Sequence, residues 1–119
     1  MFRFLSGKLL FDLTMKQLKF NGILQELITK AINGNIQDVD FIMKHLSPQS
    51  SLAMTRYVDY ALSLVENKQA INRVKHYLFN GTLIQRNYCS LYFNRRGDRK
   101  IVSLAYQQGL IDEIQAFAR

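Results

Sequence analysis

The chain is poor in the residues that build covalent or irregular frameworks. Of its 119 residues, one is cysteine and one is proline. The single thiol, Cys89, excludes an internal disulfide framework and fits a reducing compartment. Pro48 and six glycines leave little room for long structureless linkers. Acidic residues are also scarce, nine against sixteen basic ones, for a net charge of +7. Long apolar runs are missing. The most apolar stretch near the start, 1–20, is broken by Arg3, Lys8, Asp12, Lys16 and Lys19, so it reads neither as a secretory signal nor as a spanning helix.

Chemistry-bearing constellations are missing too. His45 and His76 each lack a second histidine or a carboxylate at ligand spacing, and one cysteine cannot complete a zinc site. Gly81, Gly97 and Gly109 are isolated, so no loop is built to cradle phosphate. The pairs Asp38 with Asp40 and Asp112 with Glu113 fall on expected solvent faces, without the pocket that acid–base work needs. Cys89 lies between Tyr88 and Leu91 on an apolar helix and reads as a buried, inert thiol rather than a nucleophile paired with His76. The sequence therefore predicts a non-enzyme without cofactor, metal or small-molecule substrate.

What is present is helical. Hydrophobic residues make up 48 % and charged residues 21 %, enough for one domain with a real core. The spacing predicts helices over 8–19, 23–32, 36–46, 52–65, 70–79, 83–93, 100–107 and 111–118. One short pattern occurs twice. Residues 31–42 read A-I-N-G-N-I-Q-D-V-D-F-I, and residues 106–117 read Y-Q-Q-G-L-I-D-E-I-Q-A-F. Superposing Gly34 on Gly109 puts Ile36 on Ile111, Val39 on Ile114 and Ile42 on Phe117. Glycine there stops a first helix in the left-handed conformation, and the three apolar residues form the inner face of a second. Ala31 marks a close helix crossing.

Repetition of helical hairpins points to stacked ankyrin-like units, and a stack is a surface for holding another macromolecule. The predicted fold is all-α: a single domain of degenerate ankyrin-like hairpins with a capping helix over 1–22 and units over 23–46, 52–79 and 83–119. In the middle unit Ala61 and Leu64 lie in the first helix, and Val74, Tyr77 and Leu78 take the parts of Val39, Ile42 and Met43. Val39, Val74 and Ile114 are spaced more widely than the roughly 33 residues of a regular ankyrin unit, and its T-P-L-H opening is missing. Phe2, Leu5, Leu9, Leu13 and Phe20 form one apolar side of the first helix. They read as a cap on the first unit in preference to a membrane-surface contact, because a stack needs its end covered.

The charge is unevenly placed. Residues 68–100 carry eight basic side chains (Lys68, Arg73, Lys75, Arg86, Arg95, Arg96, Arg99, Lys100) against Asp98 alone. Such clustering is what a polyanion-binding face looks like, and Tyr77, Phe79, Tyr88, Tyr92 and Phe93 are interleaved with it. At their helical spacing, Tyr88, Leu91 and Tyr92 read first as a core face. The basic run over 95–100 also matches a crude nuclear-import signal or an acidic-partner patch. The Arg96–Gly97–Asp98 triplet reads as coincidence.

The stretch N-Y-C-S-L-Y-F-N-R-R-G-D-R-K-I over 87–101, followed by S-L-A-Y-Q-Q-G-L-I-D-E-I over 103–114, resembles segments of the multigene family 360 and 505 proteins of African swine fever virus. The resemblance covers residues 23–119 and rests on texture: degenerate helical hairpins, many aromatics and a basic surface. It implies a role in virus host range and macrophage tropism. It also implies damping of host innate immunity through protein contacts in the host cytoplasm, with the nucleus as a second compartment. Members of that family run to a few hundred residues, so a short or truncated member is expected.

Two functions follow as expectations. The first is a protein-interaction module that occupies a host signalling or degradation protein. Its expected contacts are at unit tips and along the basic stretch: Asn33, Asn35, Asn67, Lys68, Arg95, Arg96, Arg99 and Lys100. The alternative is a basic helical protein that binds nucleic acid through residues 68–100.

Overall fold

The computed structural model describes residues 22–119. The capping helix expected over 1–22 lies outside the described residues except for Gly22. Among those described, the chain forms seven helices and no strand: α1 (Gly22–Asn33), α2 (Ile36–Met43), α3 (Leu52–Leu62), α4 (Lys68–Asn80), α5 (Leu83–Arg95), α6 (Arg99–Gln107) and α7 (Glu113–Phe117).

Local chemistry sets most of the boundaries. Ser51 Oγ accepts from Met54 N at the start of α3, and Asn67 Oδ1 accepts from Gln69 N at the start of α4. Thr82 and Gln85 form a reciprocal capping box on α5, with Thr82 N donating to Gln85 Oε1 at 2.9 Å. Asp112 Oδ1 accepts from Gln115 N to open α7. Gly34, Gly97 and Gly109 take positive φ (71°, 79° and 76°) and turn the chain after α1, α5 and α6. Two helices stop earlier than the periodicity suggests. α2 ends at Met43 and α3 at Leu62, and turns carry the buried Leu46 and Val65 the rest of the way to the core. At the first of these ends Ser50 Oγ donates to His45 O at 2.6 Å and closes the 45–50 loop.

Packing follows a two-layer order. α1 packs on α3, α3 on α5 and α5 on α7, while α2 packs on α4 behind them. The adjacent pairs α1–α2, α4–α5, α5–α6 and α6–α7 also pack together. One continuous core runs through the layers, built by Leu27, Val39, Ile42, Val58, Leu62, Val74, Leu78, Phe93 and Val102 among others. Each fully buried aliphatic or aromatic side chain contributes roughly 1.5–3 kcal/mol. Tyr92 brings its hydroxyl into this core and donates to Val65 O at 2.7 Å, so the polar atom is satisfied.

The repeated pattern does not occupy equivalent places. Ile36 is 45 % exposed where Ile111 is buried. Val39 and Ile42 are buried where Ile114 and Phe117 are 77 % and 62 % exposed. The expected inner-face roles of Ile36, Ile114 and Phe117 are therefore corrected. The turns also face opposite ends. Gly34 lies against Asn67, at the end where α5 finishes, whereas Leu110 O accepts from Arg86 Nε near the start of α5. The turn that matches Gly34 in the alternation is Gly97.

Asp38 and Asp40 are corrected as well. Asp38 is buried, because its carboxylate accepts from Asn35 N at 3.0 Å and Asn33 Nδ2 at 2.9 Å. Asp40 is half-buried and accepts from Arg73 Nε and Tyr77 Oη, each at 2.7 Å.

Candidate interaction surface

The alternating helices bring three turns to one end of the molecule. These are 33–35 between α1 and α2, 63–67 between α3 and α4, and 96–98 between α5 and α6. Contacts fix the placement. A Cβ on Gly34 would stand 2.8 Å from Asn67 Cβ, so the first two turns touch. Arg95 Nη1 donates to Asp59 Oδ1 at 2.8 Å, joining the ends of α5 and α3. The expected contact residues Asn33, Asn35, Asn67, Lys68, Arg95, Arg96, Arg99 and Lys100 thus converge here from three separate stretches.

Their roles differ. Asn33 and Asn67 are engaged in turn and cap hydrogen bonds, and Asn35 opens α2 as its cap position. Arg95 is tied to Asp59. The Arg96 guanidinium lies 5.4 Å from the Tyr92 ring centroid, and that of Arg99 lies 5.5 Å from the Phe117 ring. Among the described residues, Lys68, Arg96, Arg99 and Lys100 make no ion pair, and all four are exposed. Lys68 stands in the first turn of α4, and Arg99 and Lys100 stand in that of α6, with no acid in either turn. Helix N-termini favour anions, so these three cations oppose the local dipole.

At the same end α3 and α5 leave a cleft of about 160 Å³ lined by Asp59, Leu62, Ser63, Tyr92, Arg95 and Arg96. Leu62 and Tyr92 give it an apolar lining, and the Arg95–Asp59 pair and Arg96 give it a charged rim. Burial pushes the Tyr92 phenol up to about 12, against the smaller opposing pull of Arg96, so it stays neutral. Arg95 and Arg96 are among the contacts expected from the sequence, whereas Asp59, Leu62 and Ser63 are not. The Asp59 signal is a partner far along the chain, and no local pattern carries it.

The rest of the basic stretch is partly consumed by structure. Arg73 binds Asp40, and Arg86 donates to Leu110 O at 2.7 Å and Gly81 O at 2.8 Å. Phe93 is buried, Tyr77 is held by Asp40, and Tyr88 is half-buried against the core. Cys89 is fully buried, and burial pushes its thiol well above the ordinary range. His45 Nδ1 meets Phe41 O at 2.8 Å, and His76 lies edge-on to Tyr77. Among the described residues, no group of His, Cys, Asp and Glu is placed to hold a metal ion, and no helix is long and apolar enough to cross a membrane. No family model, no curated protein and no solved structure matches the chain.

Proposed function

We propose that the protein is a non-catalytic, ankyrin-like stack of helical hairpins that binds another protein with the end where turns 33–35, 63–67 and 96–98 meet. The observation that carries this reading is the convergence itself. Three turns distant in sequence share one surface, and four of its cations have no carboxylate partner among the described residues. The alternate packing of α1, α3, α5 and α7 supports the stacked-hairpin part, with α1–α2 and α5–α6 as packed hairpins. Such a surface acts by occupancy, and its pre-organisation keeps the entropic cost of binding low. The resemblance to the multigene family proteins extends the proposal to the partner's setting. There the scaffold would hold a host signalling or degradation protein in the cytoplasm, serving virus tropism and evasion of innate immunity.

The test is capture of the tagged chain from macrophage lysate, with and without nuclease. A parallel capture uses the variant with Arg95, Arg96, Arg99 and Lys100 all changed to Ala. A discrete protein that survives nuclease and is lost in the variant is the expected result. A set of nucleic-acid-associated proteins that vanishes with nuclease would replace this reading with binding of RNA or DNA through residues 68–100.

A further inference from the structure

We propose that the cleft between α3 and α5 is a docking site for an acidic peptide segment that inserts one aromatic side chain. The inference rests on the interaction-module reading and gives the partner its chemistry. Three observations carry it. The first is size. A cavity of about 150 Å³ holds a benzene ring, and the cleft offers about 160 Å³, room for one phenyl ring and too little for a purine stacked with its sugar. The second is lining. Leu62 and the neutral Tyr92 ring line it on the core side, 1 % and 4 % exposed, and the Tyr92 hydroxyl is already committed to Val65 O, so an inserted ring strands neither of them.

The third is charge. At the rim, Asp59 is neutralised by Arg95 at 2.8 Å, while Arg96 rests on Tyr92 with no carboxylate of its own among the described residues. Lys68, Arg99 and Lys100 add positive charge at the same end, against Glu66 and Asp98. Glutamates or aspartates flanking the inserted ring complete the Arg96 fork, whose planar donors match a carboxylate. Nucleic acid fits less well. Among the described residues, Arg73, Arg86 and Arg95 are held by internal acceptors, which withdraws three of the eight cations over 68–100 from any phosphate track.

The experiment is an NMR titration of the full chain, reading amide shifts at Leu62, Ser63 and Tyr92. The probe is a short peptide with one phenylalanine flanked by glutamates. Comparison probes replace the phenylalanine with serine, replace the glutamates with lysines, or substitute a short oligothymidine. Saturable shifts centred on the cleft are expected, with affinity about tenfold or more weaker for the serine peptide, the ratio that burying an aromatic ring supplies. Arg96→Glu should weaken the phenylalanine probe to a similar degree. Ser63→Phe, at an exposed position on the rim, should block it while leaving the fold's amide pattern intact. Equal binding of the phenylalanine and serine peptides, tighter binding of oligothymidine, or shifts confined to another surface would each overturn the proposal. A captured partner that depends on the basic turn, combined with no cleft shift here, would leave the interaction module standing and remove this site.

Discussion

Single residues carry different burdens at positions that look alike in the sequence. Gly34, Gly97 and Gly109 all take positive φ, which costs an L-residue roughly 1–2 kcal/mol. Gly34 carries a second constraint, because an added Cβ meets Asn67 Cβ at 2.8 Å, whereas the other two face open space. Gly34→Ala should therefore lower stability by about 2 kcal/mol or more, and Gly97→Ala by only about 1 kcal/mol. Urea denaturation of the two variants checks the order. Asp40 supplies a second residue-scale test. Burial pushes its carboxyl up, but hydrogen bonds from Arg73 and Tyr77 and the Arg73 charge together hold it below the ordinary value of 3.8. A depressed folded value means that Asp40 stabilises above the unfolded value. That contribution is lost as pH falls through the folded one. Wild type should lose stability relative to Asp40→Asn as pH drops below about 4, and the gap should be largest near neutrality. Urea midpoints at neutral and acid pH decide it. The pair is partly solvated, so the effect is expected at about 1 kcal/mol. The turn glycines were legible in the sequence because positive φ restricts residue type. The burial of Asp38 and Asp40 was not, because Asp40 finds Arg73 across 33 residues and Asp38 turns inward to cap its own helix.

At the scale of elements, helix positions were readable because caps and apolar spacing are local. Helix faces were readable only where the helix is long. α7 has five residues, less than two turns, so its apolar spacing could not say that Ile111 goes in while Ile114 and Phe117 stay out. The same limit misaligned the two copies of the repeated pattern. Charge placement within elements bears on function. Lys68 and Lys100 sit in first turns, where a negative charge is worth about 0.3–1 kcal/mol. Positions that break a local rule are expected at functional sites. Lys68→Glu and Lys100→Glu should each raise stability by a few tenths of a kcal/mol to about 1 kcal/mol. Both should weaken partner binding. Thermal denaturation and a binding assay on the same variants read the trade, and variants that are more stable with unchanged binding would show those cations to be idle.

The whole molecule depends on ties between hairpins that no single element reveals. Gln85 Nε2 donates to Met43 O at 3.1 Å, Arg86 fastens the turn after α6, and Asn94 Nδ2 donates to Ala116 O at 3.0 Å and Ala118 O at 2.8 Å, fastening α7. These ties hold the helices in alternation, and alternation is what gathers distant turns at one end. The all-helical class followed from composition and periodicity, while the cleft between α3 and α5 needed the packing to appear. The most direct test of the central claim is site-specific photo-crosslinking in lysate treated with nuclease. A photoreactive residue is placed at Lys68 or Lys100 on the turn end, or at Gln49 or Gln108 on the opposite end. The same discrete protein adduct is expected from Lys68 and Lys100 and none from Gln49 or Gln108. Adducts from the opposite end alone, or none from either end, would contradict it.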